Sequence, residues 1–138
     1  MFVFVNFPCF LIVVAILVVA LILLQVYFMR RKGKWSASDI KFCKKSWQRI
    51  VSEKDIRHKV MEADKLLEHM LKRKGYTESL GETLKKQSAL FSDINGLWYA
   101  HKMRNKIAHE MGYKVGPKDV KLAMRSFKKA LKDIGMKV

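Results

Sequence analysis

Residues 7–28 read FPCFLIVVAILVVALILLQVYF, and this stretch decides the architecture of the chain. Only Pro8 and Gln25 interrupt its apolar character, and a helix of this length, at about 1.5 Å per residue, reaches about 33 Å, enough to span the hydrocarbon core of a bilayer. In lipid every backbone polar group needs an internal partner. A Leu/Ile/Val-rich helix supplies it, and Pro8 is tolerated in a first turn. A cleaved secretory signal would show a basic start, a shorter apolar run and small residues at a cleavage site, and this stretch has none of them. The reading is one transmembrane helix within an anchor over residues 1–29.

Moving outward, the composition changes at once. Residues 1–29 contain no Lys, Arg, Asp or Glu, so all 28 basic and 12 acidic side chains, and the net charge of +16, belong to residues 30–138. Arg30, Arg31, Lys32 and Lys34 open a basic juxtamembrane tether over residues 30–37. By the positive-inside bias they place the N-terminus outside the cell membrane and the C-terminal domain in the cytoplasm. Residues 38–138 are enough for one domain with a single core. Cys9 and Cys43 fall on either side of this division, so no disulfide framework is implied and both read as free thiols.

Strand signals are weak after residue 35, whereas apolar residues recur at three- and four-residue spacing, which predicts an all-α domain. A first helix over 38–51 carries Ile40, Cys43, Trp47 and Ile50 or Val51 on one side. A second, over 54–74, aligns Ile56, Val60, Ala63, Leu67, Met70 and Leu71, with Gly75 free to take the left-handed conformation that ends it. Ser79 and Glu82 have capping-box spacing and open a third helix through about Phe91. Ser92 or Asp93 caps a fourth over 94–110, and Pro117 starts a fifth whose Val120, Ala123, Met124, Phe127, Ala130, Leu131 and Ile134 form a broad apolar stripe. The expected fold is one N-terminal transmembrane helix plus a compact bundle of four to five helices.

The fourth helix holds the segment most suggestive of chemistry, residues 98–110. At 100° per residue, Leu97, Ala100, Met103, Ile107, Ala108 and Met111 share an apolar arc; Arg104 falls inside it and His101 near its edge. A bundle core rarely accepts an unpaired guanidinium. Arg104 therefore requires a carboxylate elsewhere in the bundle, or a surface formed by a second subunit or ligand.

With Arg104, Asn105 and His109 the chain resembles the HEPN superfamily, over roughly residues 55–134. Members carry an Arg, a polar residue that is often Asn, and a His a few positions later, near the end of a helix in a four- or five-helix bundle. Many are similar to metal-independent ribonucleases. The resemblance implies His109 as acid–base on a ribose 2′-hydroxyl, Arg104 as the group that stabilises phosphate charge, Asn105 as an orienting residue, and homodimers in which two motifs face each other. Imidazole and guanidinium suit those tasks. Geometry adds a condition: in a straight helix Arg104 and His109 point about 140° apart. Either the helix loosens near His109 or two subunits combine, and a shared membrane anchor would favour such a dimer. The other reading has Arg104 bridging Asp64 or Glu68 on the second helix in a non-catalytic scaffold or interaction module at the inner membrane surface.

Other chemistries are excluded more simply. His109-Glu110 begins like the zinc-protease H-E-x-x-H, but the last position is Tyr113. His58, His69 and His101 are scattered, so neither a metal nor a cofactor is expected. The glycines are isolated and form no phosphate loop. Trp98, Tyr99 and Phe127, at helical spacing, read as core. Basic residues cluster at 30–34, at 41–45 and along the last helix, with Lys118, Lys121, Arg125, Lys128, Lys129, Lys132 and Lys137. Besides the lipid bilayer itself, the expected partners are anionic headgroups, or RNA.

Overall fold

The computed structural model of the chain describes residues 7–31 and 34–138, so Lys32 of the tether and the start of the anchor lie outside the described residues. It divides into two units, Met1–Lys34 and Trp35–Val138. In the first, α1 (Phe7–Arg31) is a single uninterrupted helix with Pro8 in its opening turn. Its span Pro8–Tyr27 is long and apolar enough to cross a membrane, and none of it is buried by protein. The helix runs two residues into the expected tether, because Met29, Arg30 and Arg31 are good helix formers.

The second unit is all helical: α2 (Ala37–Ser52), α3 (Ile56–Lys74), α4 (Leu80–Lys86), a 3-10 turn (Ser88–Leu90), α5 (Ile94–His109) and α6 (Pro117–Asp133). Each start has a local cause. The side chains of Ser36, Asp55, Ser79 and Asp93 accept hydrogen bonds from amides of the first turns of α2, α3, α4 and α5, and Pro117 opens α6. Gly75, at φ 106°, ends α3 in the left-handed conformation, and the amide of Tyr76 returns to the carbonyl of Leu71 at 3.0 Å.

α3 lies at the centre, packed against α2, α5 and α6, and α5 and α6 pack extensively on each other. The apolar stripes meet there: Val60, Ala63, Leu67, Met70 and Leu71 of α3, Leu97, Ala100 and Met103 of α5, and Val120, Ala123, Phe127, Ala130 and Leu131 of α6. Gly96 permits the close approach of α5 and α6, since a Cβ there would stand 2.8 Å from Ser126 Oγ. The buried Cys43 thiol is pushed up to about 11 by desolvation, so it behaves as a small apolar side chain and not as a nucleophile.

Four expectations are corrected. The third helix stops at Lys86 and not at Phe91, because the chain turns through Ser88–Leu90 to bring Phe91 into the core. Ile40 and Val51 face outward; only Cys43, Trp47 and Ile50 of α2 are buried. Ala108 and Met111 leave the apolar arc for solvent, since α5 ends at His109. Phe127 is core, but Trp98 is only half-buried and Tyr99 is 43% exposed.

Candidate functional site

Asp64, midway along α3, is fully buried among apolar side chains. Such a carboxylate survives only if its oxygens find donors. His101 Nδ1 lies 2.7 Å from Asp64 Oδ1, and Arg104 Nε lies 3.3 Å from Asp64 Oδ2. Asn105 closes the circuit. Its Oδ1 accepts from Arg104 Nη1 at 3.0 Å, and its Nδ2 makes a longer contact of 3.4 Å to His101 Nε2. One assignment of hydrogens fits three sides of the ring: Arg104 Nη1 donates to Asn105, Asn105 to His101 Nε2, and His101, in the Nδ1-protonated tautomer, to Asp64; on the fourth side Arg104 Nε and Asp64 Oδ2 face each other as a buried ion pair without a hydrogen bond. Gly81 of α4 and the Trp98 ring, 6.0 Å away, wall in the imidazole.

Of the residues the HEPN motif singles out, Arg104 and Asn105 are thus brought together, with Asp64 and His101 as company. His109 is not part of this arrangement. It is exposed at the last position of α5, which stays helical throughout, so the loosening that would let one helix aim both groups at one phosphate is absent. Arg57 of α3 holds that end of α5, donating to the carbonyls of Ile107 (3.3 Å) and Tyr113. Among the described residues no three His, Cys, Asp or Glu side chains gather as a metal site.

No known family model, curated protein or solved structure matches this chain. Its function must therefore be read from its own surface.

His109 does have neighbours on its own side of the helix. Asn95, Trp98 and Tyr99, Lys102, Lys106 and His109 recur with helical spacing and share one face of α5 over about 21 Å, roughly opposite Arg104. All are exposed except the half-buried Trp98. Lys102 Nζ sits 5.9 Å from the Trp98 ring centroid, and Lys106 Nζ 5.6 Å from that of Tyr113. The Tyr99 hydroxyl donates to Asp119 Oδ1 at 3.0 Å; partial desolvation, then this hydrogen bond, hold the phenol above its ordinary value, so it stays a fixed donor. With Lys85 at the end of α4, Asn95, Trp98, Tyr99 and Lys102 line an open groove of about 570 Å³. The i, i+3, i+4, i+7 spacing from Asn95 to Lys102 was the signal in the sequence; reading both aromatics as core concealed it.

α6 carries a second concentration of positive charge. Lys118, Lys121, Arg125, Lys129 and Lys132 are exposed, and neither they nor Lys128 form an ion pair among the described residues. Most acidic side chains are engaged with other groups. Asp39, Glu62, Glu68, Glu78 and Glu82 pair with other cations, and Asp133 accepts from Ser92 at 2.8 and 2.9 Å.

Proposed function

We propose that this chain is a membrane-anchored, HEPN-like module that holds single-stranded RNA at the cytoplasmic face of the cell membrane and does not cleave it. The carrying observation is the division of labour around α5: Arg104 is engaged inward with Asp64, while aromatic rings, lysines and His109 line the outward face. Stacking platforms interleaved with cations suit unpaired nucleotides, since every base has a π-face and every linkage a charge. The positive-inside bias of Arg30 to Lys34 supports the orientation. Pairing of two anchored chains would present two such faces side by side.

The test is a titration of fluorescent single-stranded RNA with the full chain in non-ionic detergent. Trp98→Ala should weaken binding about tenfold or more, the usual worth of one stacked base. Replacing Lys102 and Lys106 by Gln should reduce the dependence of log affinity on log salt by roughly 0.7 for each lysine. RNA binding indifferent to all three changes would rule out this face as the binding surface.

A further inference from the structure

A second groove, on the side formed by α2, α3 and α6, has a different lining. Its floor is apolar, with Trp47 and Val51 from the end of α2, Ile56 from the start of α3, and Val120 and Met124 from α6. Its rim is cationic, with Lys59, Lys121, Arg125 and Lys128, and no acidic side chain lines it. Its volume of about 580 Å³ is within the range of small-molecule sites. None of the four rim cations forms an ion pair among the described residues.

Like charges around a trough are self-repelling, and half-exposed apolar side chains such as Val51 gain nothing from water, so both features call for one occupant that is anionic at one end and aliphatic at the other. We infer that this groove binds a single anionic phospholipid, its acyl chain along Val51, Ile56, Val120 and Met124 and its phosphate among Lys59, Lys121, Arg125 and Lys128. Nucleic acid is a poor fit, because the one aromatic ring in the groove, Trp47, is 6% exposed and offers no free face for stacking. The same chain carries a helix long and apolar enough to cross a membrane, which supplies lipid as a standing partner. This site is separate from the α5 face and stands or falls without it.

The experiment uses the full chain in lipid nanodiscs whose scaffold protein lacks tryptophan, with Trp35→Phe and Trp98→Phe so that Trp47 is the only tryptophan and is excited selectively. The bilayer is phosphatidylcholine carrying a small fraction of phosphatidylglycerol with brominated acyl chains, which quench tryptophan on contact. Trp47 should be quenched by brominated phosphatidylglycerol and not by brominated phosphatidylcholine at the same fraction. Lys121→Gln with Arg125→Gln, both at exposed positions, should raise the anionic fraction needed for half-quenching by about fivefold per cation removed, roughly twenty-five-fold together. Equal quenching by both lipids would mean mere proximity to the bilayer, and overturns the inference. So would no quenching, or a Trp47 response to single-stranded RNA or to an acidic peptide in its place.

Discussion

Replacing Arg104 by Met should cost the domain about 3–5 kcal/mol of folding stability, as removal of one member of a buried ion pair does. The cost arises at Asp64. That carboxylate is fully buried, and without the guanidinium it loses its counter-charge and keeps only the His101 hydrogen bond. Asn105 also loses the group that orients its amide. The converse change, Asp64→Asn, should cost less, because the Arg104 side chain is 24% exposed and can turn toward water. Replacing the pair together, Asp64→Leu with Arg104→Met, should recover most of the loss, since a well-packed apolar pair often equals a buried ionic one. Denaturant unfolding of residues 35–138, a unit with its own core, measures all three. An arginine held ready for a phosphate behaves oppositely, and its removal leaves stability unchanged or raised.

Phe127→Ala should cost about as much, 3–5 kcal/mol, by a different route. The ring is fully buried on α6, in the core cluster shared with α3 and α5, and its loss leaves a cavity that these packed helices cannot close. Phe127→Leu, which keeps most of the volume, should cost only about 1–2 kcal/mol. Grading by volume is the mark of packing; at Arg104 no isosteric apolar residue helps while Asp64 remains. A domain of this size has about 5–15 kcal/mol in all, so either severe variant approaches the limit of folding at physiological temperature. Heat or denaturant midpoints of the Ala and Leu variants decide it, and equal losses for both would mean that volume is not what Phe127 contributes.

Much of this molecule is legible in its sequence alone. The C-terminal end of α3 and the starts of α4, α5 and α6 depend on side chains within a few residues of each end, namely Gly75, Ser79, Asp93 and Pro117, so local chemistry announced them, whereas the caps Ser36 and Asp55 that start α2 and α3 went unread. That Arg104 needed a carboxylate came from its place inside the apolar arc, with Asp64 and Glu68 as candidates. Which of the two could not be read, because they lie one turn apart on α3 and only the register of α3 against α5 chooses. Glu68 pairs with Lys72 on its own helix, at 2.7 Å. The outward face of α5 was misread for a related reason. Periodicity shows that Trp98 and Tyr99 stand on a helix, but whether a neighbour covers them depends on how the other helices pack, and Tyr99 is left 43% exposed. Sequence periodicity describes one helix at a time, whereas coverage belongs to the pair.

One measurement bears most directly on the central claim: the fate of end-labelled single-stranded RNA incubated with the full chain in EDTA, read by gel at protein concentrations that saturate binding. The RNA should be bound, released by salt and intact, with the same result for His109→Ala. Metal-independent cleavage by the unaltered chain, abolished by Arg104→Ala or His109→Ala in protein shown by circular dichroism to be folded, would contradict it. Arg104 would then act on phosphate across a pair of chains, and its engagement with Asp64 would be a resting state.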